Sequence, residues 1–364
     1  MIDRAVVAPA ELAIHLTYRC PLSCAHCCFS SDMSQHGHLD REIAIGAVEA
    51  AAAVEGMERI NFVGGDPFLQ TDLMADVLGR AKNLGLDGSA TTSAYWATSE
   101  RKALQVLAPL VQAGLSRLII SYDDMHARFL KIKHVVNAYR SARQLGIDVC
   151  VAVVLQPGSK IDAGHVYDAL GVAPHDDPGL TIYETAISST GRAREGVEED
   201  ELFARRQAPQ VYRGPCSSVL RDFSVTPEGQ VLPCCGVLPF RQEMVVGDLN
   251  REPLRAAIDR AYNDAAMKWI ALEGPVALLC EITAESDTPF AEDDFDGVCH
   301  ACDVLYSSPE LLQRLRDYLP RKMAMLEQAE GALAAIGYFR RRDEPQSALV
   351  NAGQGSKEDA AIAK

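Results

Sequence analysis

Up to about residue 190 the chain alternates short apolar runs with longer amphipathic stretches. Leu12–Thr17, Arg59–Val63, Leu86–Thr92, Arg117–Tyr122, Ile147–Leu155 and Leu180–Ala186 are short apolar runs with the length of buried strands. Helical patterns fill the intervals near 40–55, 70–84, 99–113, 130–145 and 161–170. Asp40 and Thr71-Asp72 suit helix starts, and Gly85, Gly114 and Gly146 follow helix ends as C-caps do. Six strands alternating with helices predict an α/β fold of parallel βα units, either doubly wound or a complete or partial barrel. In each case functional residues belong at the C-terminal ends of the strands.

After residue 190 the rhythm changes. Glu195 to Arg206 is charged and reads as a linker or an exposed helix. Asp222–Thr226, the turn Pro227-Glu228-Gly229 and Gln230–Leu232 read as a β-hairpin. Residues 273–298, rich in Glu, Asp and Pro, predict a long acidic loop, and Pro309–Ala335 a helix broken near Pro320. From Arg341 to Lys364 apolar periodicity disappears, which predicts a disordered tail.

A length of 364 residues predicts one large and one smaller domain, and 48% hydrophobic with 23% charged residues is ordinary globular composition. The net charge of −15 argues against a general nucleic-acid or membrane-surface partner, since both are polyanions. The start, Met1-Ile2-Asp3-Arg4, lacks the pattern of a signal peptide, and no run reaches the roughly 18–20 apolar residues of a membrane span. The expected compartment is the cytoplasm, where thiols stay reduced.

That expectation matters for the 11 cysteines, at 20, 24, 27, 28, 150, 216, 234, 235, 280, 299 and 302. An odd, clustered set in a reducing compartment points to metal ligation. Cys150, inside an apolar run, reads as core, Trp96 and Trp269 as packing residues, and His36, His38 and His126 as solvated. Cys20, Cys24 and Cys27 form a CxxxCxxC directly after the first strand. Three thiolates this close can hold three irons of a cubane and leave the fourth without a protein ligand. Zinc is the competing occupant and would need a fourth ligand such as His15, His26, His36 or His38. After the second strand comes Gly64-Gly65-Asp66-Pro67, where glycines allow close backbone approach and a carboxylate can receive an ammonium. Farther on, Cys216 lies 18 positions before Cys234 across the hairpin, and Cys299-His300-Ala301-Cys302 follows. These four can converge on one metal, a cluster or a structural zinc, and Cys235 or Cys280 could replace Cys234 or bind a second cluster.

CxxxCxxC and GGDP at successive strand ends resemble the radical S-adenosylmethionine (radical SAM) superfamily. The resemblance implies a partial (β/α)6 TIM-like barrel over residues 10–190. In it Cys20, Cys24 and Cys27 hold a [4Fe–4S] cluster whose open iron chelates the amino and carboxylate groups of SAM. Gly64, Gly65, Asp66 and Pro67 match the GGEP motif that binds the SAM amino group, with Asp66 where Glu is commoner. His26 stands where an aromatic residue is usual. Ser121 and Asp123 match a Ser or Asp near the ribose, with Thr91-Thr92-Ser93 a further candidate. Residues 191–335 resemble the Twitch domain, a single-cluster relative of the SPASM domain, with Cys216, Cys234, Cys299 and Cys302 as implied ligands of an auxiliary [4Fe–4S] cluster. Gly191-Arg192-Ala193 and Gly247-Asp248-Leu249 also match segments recurring there. The implied activity is cleavage of SAM to methionine and a 5′-deoxyadenosyl radical that removes hydrogen from a substrate C–H. The implied electron donor is a reducing protein such as flavodoxin or ferredoxin. The implied substrate is a ribosomally made peptide, acquiring a crosslink, a thioether or an epimerised centre. A small molecule such as an aminocyclitol or nucleoside is the alternative, and a non-catalytic electron-transfer or zinc protein the alternative of another class. No residue is singled out as catalytic.

Overall fold

The computed structural model describes residues 7–195, 198–235 and 241–335. The expected tail from Arg341 lies outside them. Five βα repeats and a sixth strand come first: β1 (Glu11–His15), α1 (Arg41–Ala52), β2 (Arg59–Val63), α2 (Thr71–Asn83), β3 (Asp87–Thr92), α3 (Glu100–Ala113), β4 (Leu115–Ser121), α4 (Lys133–Gln144), β5 (Asp148–Leu155), α5 (Ala163–Leu170) and β6 (Leu180–Ala186). Local chemistry sets the boundaries. The Asp40 side chain accepts from Glu42 N and Ile43 N to start α1, and Gly114, at φ 128°, ends α3.

These six strands are parallel in sequential order, and the sheet does not close. Leu12 and Ile14, Ile60 and Phe62, Leu118 and Ile120, and Val149, Val151 and Val153 pack into the helix layer against residues such as Val48, Met74, Leu78 and Leu107. Alternation sends the intervening residues to the inner face, so Ala13, His15, Cys150, Ala152 and Tyr183 share it. Cys150 is therefore half-buried on that face, whereas its sequence neighbours Val149 and Val151 fill the core. The open sheet and its covering helices are those of a partial TIM-like barrel with a helical C-terminal portion.

α6 (Glu199–Arg206) takes the helical option left open for the charged stretch. The predicted hairpin forms as β7 (Asp222–Val225) and β8 (Gln230–Leu232). It extends the barrel sheet: β7 lies parallel to β1, followed by β8 and β9 (Gly247–Asp248), in the order β6-β5-β4-β3-β2-β1-β7-β8-β9. The remainder is helical: α7 (Leu254–Asn263), α8 (Ala265–Leu272), α9 (Pro275–Thr283), α10 (Val298–Ser307) and α11 (Pro309–Ala335).

Two sequence expectations fail here. The acidic loop expected over 273–298 contains α9, because Val276, Leu278, Leu279 and Ile282 supply an apolar face that tertiary burial stabilises despite the flanking acids. The break expected near Pro320 does not occur, and α11 continues through that residue. Helix α11 is held across this point by Leu315, by Tyr318 stacked on Trp269 at 5.8 Å, and by Lys322 bonded to Glu273 and Glu281. Trp269 is fully buried and Trp96 stacks on Phe68 at 4.5 Å, so both tryptophans are packing residues. No helix among the described residues is long and apolar enough to cross a membrane.

Candidate functional site

The loop after β1 carries Cys20, Cys24 and Cys27 at the C-terminal end of the strand. Leu22, Cys24 and Met125 form a small apolar cluster, joined by Cys20, Cys27, Tyr95 and Leu130. Burial pushes the Cys24 thiol up to about 12, with the neighbouring Cys27 adding to it, and burial raises Cys20 likewise. Thiols raised in this way do not ionise unless a cation is present. Backbone amides nevertheless point at sulfur: Leu22 N lies 3.4 Å from Cys20 Sγ, and Ser31 N lies 3.3 Å from Cys27 Sγ. Amides directed at two of the loop's sulfurs fit thiolate ligands of a soft, cationic group.

Gly64-Gly65-Asp66 fixes this loop to β2. Gly65 N donates to Thr17 O at 2.8 Å and Asp66 N to Arg19 O at 2.9 Å. A Cβ on Gly65 would stand 2.0 Å from Arg19 O, and one on Gly64 would stand 2.6 Å from Thr17 O. Both glycines are thus required by the approach of the cysteine loop itself. The Asp66 carboxylate is fully buried, and burial pushes its pKa up. It accepts from Thr92 Oγ1 at 2.9 Å, Ser93 N at 3.0 Å, Ser93 Oγ at 2.8 Å and Phe68 N at 3.2 Å. A ligand ammonium would have to share that carboxylate with four donors already in place. Thr92 and Ser93, candidates for ligand contact, are instead partners of Asp66. Pro67, also buried, opens the short turn that follows.

Ser121, half-buried, ends β4. Two residues on, the buried Asp123 gathers two histidines. Its Oδ2 lies 2.9 Å from His26 Nε2, and its Oδ1 lies 3.0 Å from His126 Nδ1 and accepts from Met125 N and His126 N. The two rings meet edge to face at 4.9 Å. Burial opposes ionisation of Asp123, but the contacts with His126 and His26 outweigh it and hold the carboxyl well below the usual range. His126, expected to be a solvated loop residue, is only 12% exposed in its side chain. Its place is set by Asp123, because the intervening turn caps itself on that carboxylate. His26 is thereby tied to a residue 97 positions away.

A third latch comes from Gly191-Arg192. Arg192 N donates to Cys27 O at 3.0 Å, and its guanidinium donates to Cys24 O at 2.8 Å and Ser31 O at 3.0 Å. Gly191 packs so closely that a Cβ would meet Cys28 O at 2.2 Å. No local sequence signal shows that an arginine 168 positions downstream closes the cysteine loop.

Cys216, Cys234, Cys235, Cys299 and Cys302 line one cavity, with Val219, Met244, Ile270 and Val298. The hairpin brings Cys216 to its start and Cys234 to its end, and α10 supplies Cys299 and Cys302. Burial pushes the Cys299 and Cys302 thiols far up, and the charge of Cys235 adds to both. Tyr306, one turn beyond Cys302, is buried with its hydroxyl unpartnered, and the charges of Cys302 and Cys234 act on it. An orphan donor beside converged thiols in an apolar cavity fits a group that presents sulfur acceptors. Cys280 on α9 stands outside this cavity. Cys28 lies between the two cysteine groups: burial raises it, and both Cys27 and Cys235 add to the effect.

A family model described as Radical SAM superfamily matches residues 14–170, and SPASM, an iron–sulfur cluster-binding domain, matches residues 216–303. YydG of Bacillus subtilis (strain 168), whose name assigns it to peptide biosynthesis, is 22% identical over 318 residues, covering 85% of this chain and 96% of YydG. A PqqA peptide cyclase of Streptomyces rochei is 29% identical over 178 residues, covering 46% of each. Among solved structures, anSMEcpe with bound AdoMet and Cp18Cys peptide shares the fold with a TM-score of 0.52 at 14% identity, covering 85% of this chain and 99% of that one.

The chain belongs to the radical SAM superfamily. Within it, this enzyme carries a C-terminal SPASM domain, and its cofactors are SAM, a SAM-binding iron–sulfur cluster and an auxiliary [4Fe–4S] cluster.

Proposed function

We propose that this enzyme modifies a peptide by removing a hydrogen atom from an unactivated C–H, introducing a crosslink, a thioether or an epimerised centre. Cys20, Cys24 and Cys27 hold the SAM-binding cluster, and Cys216, Cys234, Cys299 and Cys302 hold the auxiliary one, with Cys235 a fifth thiol on the same cavity. When bound, the first cluster with SAM supplies reductive C–S cleavage and the oxidising power for hydrogen abstraction. The chain's own residues confine that chemistry. Gly64, Gly65 and Arg192 fix the loop, and Leu22 and Met125 pack apolar surface against the thiols. Gly64, Gly65, Asp66 and Pro67, with Ser121 and Asp123, border the place for SAM at the C-terminal ends of β2 and β4. Asp123 orients His26 beside Cys27, so the edge of that ring is fixed before a ligand arrives.

The observation that carries the reading is the three-thiol loop pinned onto the double glycine of β2 beside a second thiol cavity. Peptide modification draws support from the full-length relative named for peptide biosynthesis. An electron donor such as flavodoxin or ferredoxin belongs to the same proposal. Anaerobic reconstitution with dithionite and SAM should yield 5′-deoxyadenosine, and its absence defeats the enzyme reading. Incubation with the peptide encoded beside the gene should change that peptide's mass or the configuration of one residue.

A further inference from the structure

The peptide reading, on which this inference rests, raises the question of where an extended chain would lie. β6 is paired on one side only. β5 runs parallel to it from Leu180 to Ala186, and among the described residues no strand pairs with its other edge. Gly179 O accepts from Val149 N and Ile187 N donates to Leu155 O, so the odd-numbered residues turn their peptide groups toward β5. Ile182 and Glu184 turn theirs the other way, to the open edge. A row of donors and acceptors at every second residue is a template for another extended chain. Edges that must stay free usually carry prolines, bulges or charged side chains, and β6, Leu-Thr-Ile-Tyr-Glu-Thr-Ala, has an unbroken register with no proline, no bulge and a single charge, Glu184.

Charge narrows the occupant. At the C-terminal end of β6 a groove of about 460 Å³ includes Gln156, Ser159, Asp162 and Glu184 in its lining, which contains no basic side chain. Tyr183, 45% exposed on the inner face, would flank alternate side chains of an added strand. Since the barrel strands are parallel, this end of β6 is also the end at which the cysteine loop, Gly64-Gly65 and Asp123 stand.

We propose that the free edge of β6 binds the substrate peptide as an added strand through the main chain of Ile182 and Glu184, with a lysine or arginine of the peptide in the acidic groove. The test is a selection of random twelve-residue peptides against the full-length, cluster-reconstituted enzyme, followed by an N-methyl scan of the most enriched synthetic peptide. Enriched sequences should share a basic residue at a fixed position. N-methylation should weaken binding about tenfold at every second amide and under about threefold between them. Ile182→Pro removes one edge N–H, is sterically tolerated at a strand edge, and should weaken the same peptide about tenfold while retaining full iron. A uniform or absent N-methyl effect overturns the edge but leaves peptide binding standing. Failure of any peptide to enrich overturns the peptide reading and the edge together. Micromolar dimerisation that Ile182→Pro abolishes also overturns the proposal, because the edge would then be occupied by a second copy.

Discussion

The two cysteine sites are built on opposite plans. In the first, one loop of eight residues, Cys20–Cys27, supplies every thiol, and distant residues only steady it. In the second, thiols arrive from the start of a hairpin, its end and a helix more than sixty residues later, and the cavity exists only when β7, β8 and α10 are all in place. The first is local chemistry attached to a barrel. The second is a product of the whole C-terminal fold. The difference predicts that loss of a ligand has separable consequences.

The largest effect expected is at the loop. Cys24→Ala should reduce SAM cleavage to background and iron from about eight to about four per chain, while the melting temperature falls little. Anaerobic iron analysis with 5′-deoxyadenosine chromatography checks both. Cys302→Ala should produce the same drop to about four irons, yet keep peptide-free SAM cleavage within about threefold, and lower the melting temperature more, because metal binding there is coupled to folding. Loss of SAM cleavage in that variant would break the comparison. Arg192→Ala tests the steadying of the loop. Hydrogen bonds from a charged donor contribute about 1.5–3 kcal/mol each, so losing those to Cys24 O and Ser31 O should speed chelator removal of the first cluster about tenfold or more. The auxiliary cluster should be lost at the wild-type rate.

The sequence was legible in proportion to how local each feature is. The six βα strands, the hairpin and the loop thiols follow from period, turn residues and spacing within short windows. The helix α9 was hidden because its flanks are acidic and its apolar face is covered by the distant α10 and α11 together with α8. The continuity of α11 through Pro320 was hidden for the same reason. Asp66 shows the limit at a single residue: its place in GGDP suggested a ligand contact, while Thr92 and Ser93 give its carboxylate partners from the next strand. The Asp123 pairing with His26 and His126 had half a local signal, the Asp-x-x-His spacing. Its other half came from a loop 97 residues earlier.

The smallest effect expected lies on α11, which supplies no thiol to either site. Lys322 on α11 bonds Glu273 at 2.6 Å and Glu281 at 2.7 Å and sits 4.3 Å over the ring of Trp269. It thereby clamps α11 over α8 and α9, and Ile270 of α8 lines the auxiliary cavity. The two glutamates are 39% and 28% exposed and can rehydrate when the ammonium is removed, so the cost of Lys322→Met is about 1–2 kcal/mol, below that of a sealed pair. Burial disfavours the charged lysine, but the bonds to Glu273 and Glu281 outweigh it and raise its folded pKa above 10.5. The stabilisation is therefore fully present below the unfolded value and is lost as pH rises through the raised one. Urea midpoints of the parent and Lys322→Met should differ at pH 7 and converge as the pH rises through the raised lysine value. Chelator removal of the auxiliary iron should accelerate about threefold at neutral pH, with removal from Cys20, Cys24 and Cys27 unchanged. Equal acceleration at both sites would mean that the loop, too, depends on the helical end, and the contrast between a local and a global site would no longer hold.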